Sequence, residues 1–335
     1  MNSGTSSESG DSTESAESER GRGRRLRREP PRFRRVEVRR ADGVSPRLLR
    51  VTLAGDELAD LVVDQPAASV RLLLPTPSST GGRTELVMPT WNGNEFLLAD
   101  GRRPLLRTLT PRNVDAAALE LDVDIVLHGG GAAETWATTA RPGDPVAVSG
   151  PGRGYELDPD APALLLAGDE TALPAIGQLL EHVPAGLPVQ VHVEVARPDA
   201  RLDDLVPAAR DRGAPALPGL PGSTGSIAGT LRSMLGLGRR GRRADGDEAQ
   251  GAAPSGADHI SVHWYDLPEG ARPGDALVAA VEAADLVPGE RIWAAGEAAA
   301  VQRIRKHLLG PRGIPRAHAH VRGYWKFGRA GDTGD

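Results

Sequence analysis

The chain has no cysteine. That excludes disulfides, iron–sulfur clusters, cysteine-ligated zinc and thiol nucleophiles together. Any redox chemistry here therefore needs a bound organic cofactor. Aromatic residues make up only 3% of the 335, so a cluster of them stands out. No apolar run approaches the roughly 18–20 residues that span a bilayer, and the start of the chain lacks the apolar stretch of a secretory signal. Arg24-Arg25 and Arg27-Arg28 lead into Glu29-Pro30-Pro31 rather than an apolar segment, which argues against twin-arginine export. The expectation is a cytoplasmic monomer with no transmembrane segment. Acidic residues number 45 and basic ones 40, a formal charge of -5. That balance argues against a nucleic-acid partner.

Glycine and proline, by contrast, are plentiful at 41 and 28, so part of the length is expected to be unstructured. Residues 1–30 run from Ser, Glu and Gly into Arg with almost nothing to bury, the composition of a disordered tail. From residue 31 to 158 short alternating runs dominate: Phe33–Arg40, Leu48–Leu53, Ser69–Leu74, Leu119–Leu127 and Pro145–Ser149. These predict strands, and the first half reads as an antiparallel six-stranded Greek-key β-barrel.

After residue 159 the grammar changes. Ala163–Ala167, Val189–Val195, Ile260–Tyr265 and Arg291–Ala295 are apolar strand runs. Glycine turns and helical stretches follow the first and fourth, to about His182 and over Glu297–Leu309, and His318–Val321 reads as a last strand. This is the pattern of a Rossmann-like parallel α/β nucleotide-binding domain, expected to extend to residue 328 with a short tail over 329–335. Residues 208–258 read as a flexible insertion, with a brief helix at Leu231–Leu237.

Three stretches carry candidate chemistry. Arg107-Thr108-Leu109-Thr110-Pro111-Arg112 offers guanidinium forks and hydroxyls that suit a phosphate or a polar ring edge; an ordinary exposed strand has the same letters. His128-Gly129-Gly130-Gly131-Ala132-Ala133-Glu134-Thr135-Trp136 follows a strand and opens a helix. Its glycines let the backbone approach an anion, or they make a flexible turn before a core tryptophan. Gly168-Asp169-Glu170-Thr171-Ala172-Leu173-Pro174-Ala175 sits where a strand hands over to a helix, the place where nucleotides bind in parallel sheets. Trp293-Ala294-Ala295-Gly296-Glu297 has the same form. The G-x-G-x-x-G fingerprint is absent; Gly150-Pro151-Gly152-Arg153-Gly154 imitates it but leads into no helix. Tyr324, Trp325 and Phe327 crowd the C-terminal end, either docked into the domain or shielding a flat cofactor.

Taken together, the chain resembles the siderophore-interacting protein family of flavin-dependent ferric-siderophore reductases, related to ferredoxin reductases. The GDETALPA run, the WAAGEAAAV run and the Gly323-Tyr324-Trp325 ending carry the resemblance, which covers roughly Arg34 to Arg329. It implies that residues 31–158 bind FAD and that residues 159–328 bind NADPH or NADH. In that reading Arg107 and Thr108 contact the phosphate region and Thr110 the isoalloxazine edge, with Leu109 standing where the family usually has a stacking Tyr. His128, Gly130, Gly131, Ala132, Thr135 and Trp136 hold the pyrophosphate or adenine end. The family usually has a Pro where this chain has Ala132 or Ala133. Gly168, Asp169, Thr171, Ala172, Gly296 and Glu297 border the nicotinamide nucleotide, and Trp325 shields the flavin. No residue is needed as a catalytic acid or base, because the flavin carries the chemistry. Arg71, Lys326 and Arg329 are expected to attract the anionic ferric siderophore, with Fe(II) as the released product. Two other activities fit the same letters: a flavin reductase serving a partner protein, and a non-enzymatic siderophore- or nucleotide-binding protein.

Overall fold

The computed structural model describes residues 32–76, 85–93, 95–206 and 259–328. The N-terminal tail, the whole of the expected insertion with Leu231–Leu237, and Arg329 with the residues after it lie outside these. The first half is built from β1 (Phe33–Ser45), β2 (Leu48–Ala54), β3 (Val70–Leu73), β4 (Thr90–Trp91), β5 (Phe96–Leu97), β6 (Leu106–Leu109), β7 (Pro111–Asp115), β8 (Glu120–Val126), helix α1 (Ala132–Thr139) and β9 (Pro145–Ser149). Along β1, Val36 and Val38 are buried while Arg35, Glu37 and Arg39 face out, the alternation of a strand with one face on a core.

Seven of these strands form one antiparallel sheet in the order β6-β3-β9-β1-β2-β8-β7. Its two edges, β6 and β7, are consecutive in the chain with only Thr110 between them. The chain thus carries one edge round to the other and closes the barrel, and β6 packs on β8 across the seam. Six strands are expected from the sequence and seven are found. The difference is the bend at Thr110, which divides one long strand into β6 and β7. Val51, Leu53, Val70, Leu72, Leu121, Val123, Val146 and Val148 fill the interior. Trp91 and Phe96 of the β4–β5 hairpin meet at a tilt with ring centroids 4.9 Å apart, and Phe96 meets Phe33 edge-on.

The second half contains β10 (Leu164–Asp169), α2 (Leu173–His182), β11 (Val189–Val195), β12 (Ile260–Asp266), α3 (Asp275–Ala283), β13 (Arg291–Glu297), α4 (Ala298–Leu309) and β14 (Ala319–Trp325). Its sheet has the order β12-β11-β10-β13-β14, with every pair parallel. β10 is buried along its whole length, as a central strand covered on both faces must be. Leu164 and Leu166 point into the cluster under α2, while Leu165 and Ala167 point into the one under α3 and α4. From β10 the chain winds outward through β11 and β12, then returns to β13 on the other side. The order reverses between β10 and β13, and the crevice at their C-terminal ends is where open α/β sheets bind ligands.

The halves are joined by buried polar contacts. Gln178 of α2 accepts from the Ala67 amide at 2.9 Å and donates to the Pro111 carbonyl at 2.6 Å. An exposed ion pair adds to them: Arg112, just past the barrel seam, pairs with Glu181 at 2.6 Å. Among the described residues no helix is long and apolar enough to cross a membrane.

Candidate functional site

At the sheet's switch point the end of β10 delivers Asp169, only 7% exposed. Its carboxylate collects four donors. Oδ1 accepts from the Thr171 amide at 2.9 Å and the Thr171 hydroxyl at 2.5 Å. Oδ2 accepts from the Glu297 amide and the Trp325 indole Nε1, both at 2.8 Å. Burial pushes the carboxyl above its ordinary pKa, against the pull of these donors. The same carboxylate explains Gly296. A Cβ there would lie 2.5 Å from Asp169 Oδ2, and its φ of +148° is one that L residues rarely adopt. Gly168 is likewise set by packing, since a Cβ would come within 2.4 Å of the Ala172 Cβ. Ala172 itself is fully buried under α2. Glu297 caps α4 through the Ala300 amide at 2.9 Å and accepts from the Phe327 amide at 3.1 Å. The side chains of Asp169, Ala172 and Glu297 are thus engaged within the protein, and what these two turns offer a ligand is backbone.

β14 runs on through Trp325, so the C-terminal aromatics belong to the sheet rather than to a frayed end. Tyr324 packs edge-on to Trp293 with ring centroids 6.4 Å apart. Burial raises its phenol pKa, and it shares a hydrogen bond with Thr110 that works the other way. Thr110, itself buried, is the bend that closes the barrel. A continuous path therefore runs from Thr110 through Tyr324 and Trp325 to Asp169, Thr171 and Glu297, across both halves. Lys326 follows on the exposed side of this end.

On β6, Arg107 bonds the Leu106 carbonyl at 2.8 Å. Leu109 stands opposite Val70 and packs against the barrel core while staying half-exposed. Thr108 stands opposite Arg71, and both are exposed on the outer face. The glycine-rich turn has a tenant. The amides of His128, Gly129 and Gly130 all point at the Glu134 carboxylate, at 3.0, 3.2 and 2.9 Å. Burial works to raise that carboxyl, but the amides of Gly130, His128 and Gly129 outweigh it and hold the group below the usual carboxylate range. Ala132 opens α1. Thr135 donates from both its amide and its hydroxyl to the Gly131 carbonyl. Trp136 lies in the barrel core, its Nε1 without a partner among the described residues. The turn also reaches the crevice. Leu127, just before it, donates to the Arg47 carbonyl at 2.8 Å, and Arg47 pairs at 3.0 Å with Glu170 of the β10 turn.

Three backbone donors converging on a pair of carboxylate oxygens have the chemistry a diphosphate needs. In this structure the anion they hold is Glu134. Sequence reasoning passed over Glu134, although an acidic residue in a helix's first turn after glycines is a readable capping signal. It also missed Arg47 and Gln178, whose partners lie 123 and 111 residues away and leave no local sign.

Comparison with known proteins finds relatives of both halves. Residues 37–155 match the siderophore-interacting FAD-binding domain, and residues 161–211 and 244–328 match the siderophore-interacting protein domain. An uncharacterized protein of Mycobacterium tuberculosis is 32% identical over 299 residues, which cover 85% of this chain and 87% of that one. The ferric vibriobactin reductase ViuB of Vibrio cholerae is 34% identical over 153 residues, 45% of this chain and 55% of its own length. A siderophore utilization protein from T. fusca superposes with a TM-score of 0.64 at 30% identity, covering 90% of this chain and 95% of its own. With its barrel matched as a FAD-binding domain and its α/β half matched alongside, the chain belongs to the siderophore-interacting protein family.

Proposed function

We propose that this protein is a reductase that passes electrons from NADH or NADPH through FAD to a ferric siderophore, releasing Fe(II). The observation that carries the reading is the path from Thr110 to Asp169. It draws the barrel seam, the C-terminal aromatics and both nucleotide turns to one crevice. The proposed division is a FAD-binding barrel over 31–158 and an NAD(P)H-binding half over 159–328. When bound, FAD supplies acceptance of a hydride from a nicotinamide and return of electrons one at a time.

The chain's own residues bind, orient and exclude water. Arg107 and the amides of His128, Gly129 and Gly130 would take the diphosphate charge. Leu109 would offer an aliphatic face in place of an aromatic one, and Thr108 and Thr110 would supply hydroxyls at the strand and its bend. The backbone around Thr171 and Gly296 would border the nicotinamide nucleotide, with Tyr324 and Trp325 keeping solvent from the crevice. Arg71 and Lys326 are exposed cations suited to drawing in an anionic chelate. Ferric ion is hard and held tightly by siderophore oxygens, whereas ferrous ion is softer and held far less well. One-electron reduction therefore weakens the iron–oxygen coordination so that the metal dissociates, with no covalent bond within the siderophore cut and no protein acid or base required. ViuB's name as a ferric vibriobactin reductase supports this class of substrate.

The test is to load the purified protein with FAD, desalt it, and follow Fe(II) capture by a ferrous-specific chelator after adding NADH or NADPH and a ferric siderophore. Retained flavin and Fe(II) formation with no second protein present are expected. Loss of all flavin on desalting, or electron flow only after a protein acceptor is added, would overturn the proposal.

A further inference from the structure

We infer that Glu134 is an internal competitor for the cofactor's diphosphate, setting how tightly this protein holds FAD. The inference rests on the proposed FAD site in the barrel, and the FAD-binding domain match covers the whole stretch from His128 to Glu134. Three amides in that stretch already have an anion. The Glu134 carboxylate spans His128, Gly129 and Gly130 at 2.9–3.2 Å, and its side chain is 16% exposed. A diphosphate seeking those N–H groups meets both an occupied cradle and a negative charge at its centre. Each N–H has one proton to give, so carboxylate and phosphate oxygens cannot both be served at full strength.

The geometry also gives Glu134 somewhere to go. It sits in the first turn of α1 on a helix with exposed neighbours at Gly131 and Thr135, so its side chain can turn to water when displaced. Expulsion then consists of breaking three charge-assisted hydrogen bonds and separating two like charges. Removing the carboxylate leaves the amides open for the cofactor. Riboflavin lacks the diphosphate, so the inference gives it no such dependence.

The experiment titrates the wild-type chain, Glu134→Ala and Glu134→Ser with FAD and, separately, with riboflavin, reading the quench of flavin fluorescence. The serine variant keeps a short hydroxyl in the first helical turn should the alanine variant fold poorly, and thermal melts confirm that each is folded. FAD is expected to bind both variants about tenfold more tightly than wild type, a factor worth roughly 1.4 kcal/mol, with riboflavin affinity unchanged. Unchanged or weaker FAD binding in the folded variants overturns the role of Glu134 while leaving the FAD site standing. Equal tightening for riboflavin overturns it too, because the effect would not run through the diphosphate. If neither wild type nor variants bind FAD, the site and the inference fall together.

Discussion

Two carboxylates, Asp169 and Glu134, sit at strand-to-helix junctions, and each gathers backbone N–H groups. Their donors differ in origin. Two of those on Asp169 come from 128 and 156 residues away, at Glu297 and Trp325. Those on Glu134 come from four to six residues back along its own loop. Asp169 is buried and ties three elements into one knot, so nothing can replace it without loosening the half it organises. Glu134 closes a local loop, and under the inference above a diphosphate competes for its amides. A carboxylate surrounded by amides can thus be a structural centre or a placeholder, and the sequence distance to its donors tells which.

The comparison breaks most readily at Asp169. Asp169→Ala strands the Trp325 indole, the Glu297 amide and the Thr171 donors in a site with little water, and removing one partner of a buried charged network typically costs about 3–5 kcal/mol. Glu134→Ala frees loop amides that water can reach, with the loss confined to a helix-end charge effect of about 0.3–1 kcal/mol. Urea unfolding of the two variants, read against wild type, should give midpoints displaced by clearly different amounts. Equal displacements would mean the distinction between centre and placeholder is not there.

Acid sharpens the contrast, because the two groups titrate in opposite senses. The Asp169 pKa is raised in the folded protein, so between 3.8 and that raised value the unfolded chain releases its proton first. Its contribution to stability falls as pH rises through that window. The Glu134 pKa is lowered, so its contribution is complete above 4.5 and disappears as pH falls through the folded value. The stability of wild type relative to Asp169→Asn should decline with rising pH, while that relative to Glu134→Gln should grow. Chemical denaturation across pH 3 to 7 measures both, and slopes of the same sign would contradict the assignment.

Much of this architecture is legible in the sequence. Pro145–Ser149 and Val189–Val195 form strands over the predicted residues, and the switch point follows from two strand–glycine–helix turns. Other parts were hidden for physical reasons. α3 was missed because its N-terminus is capped from elsewhere. Glu194 on β11 accepts from the Gly274 amide at 2.6 Å and the Leu277 amide at 3.0 Å, so the local letters ARPGDALVAA carry only part of the signal. The C-terminal strand was expected to stop at Val321 and runs to Trp325, because its last residues are fixed by Asp169 and Thr110 rather than by their own pattern. The candidate site is legible in the sequence as a set of turns. What the letters do not tell is that Asp169, Glu297 and Ala172 serve the fold there, and that Glu134 occupies the amides of the glycine-rich turn.

The smallest effect separates the two duties that fall on Trp325. It lies where an aromatic would shield the flavin, yet its Nε1 is also one of the donors on Asp169. Trp325→Phe keeps a flat apolar ring and removes only that donor. Asp169 Oδ2 retains the Glu297 amide at 2.8 Å, so no buried acceptor is orphaned, and the loss should be near 1 kcal/mol, the net worth of a single hydrogen bond. FAD affinity should stay within about twofold, because a ring face remains against the crevice and a twofold change is only about 0.4 kcal/mol. Trp325→Ala removes ring and donor together. If the ring covers the flavin, that variant should lose FAD affinity well beyond what Trp325→Phe loses, at similar stability cost from the missing donor. If the two variants bind FAD alike and differ only in unfolding midpoint, Trp325 serves the knot alone, and the shield belongs to Tyr324, held against Trp293 and Thr110.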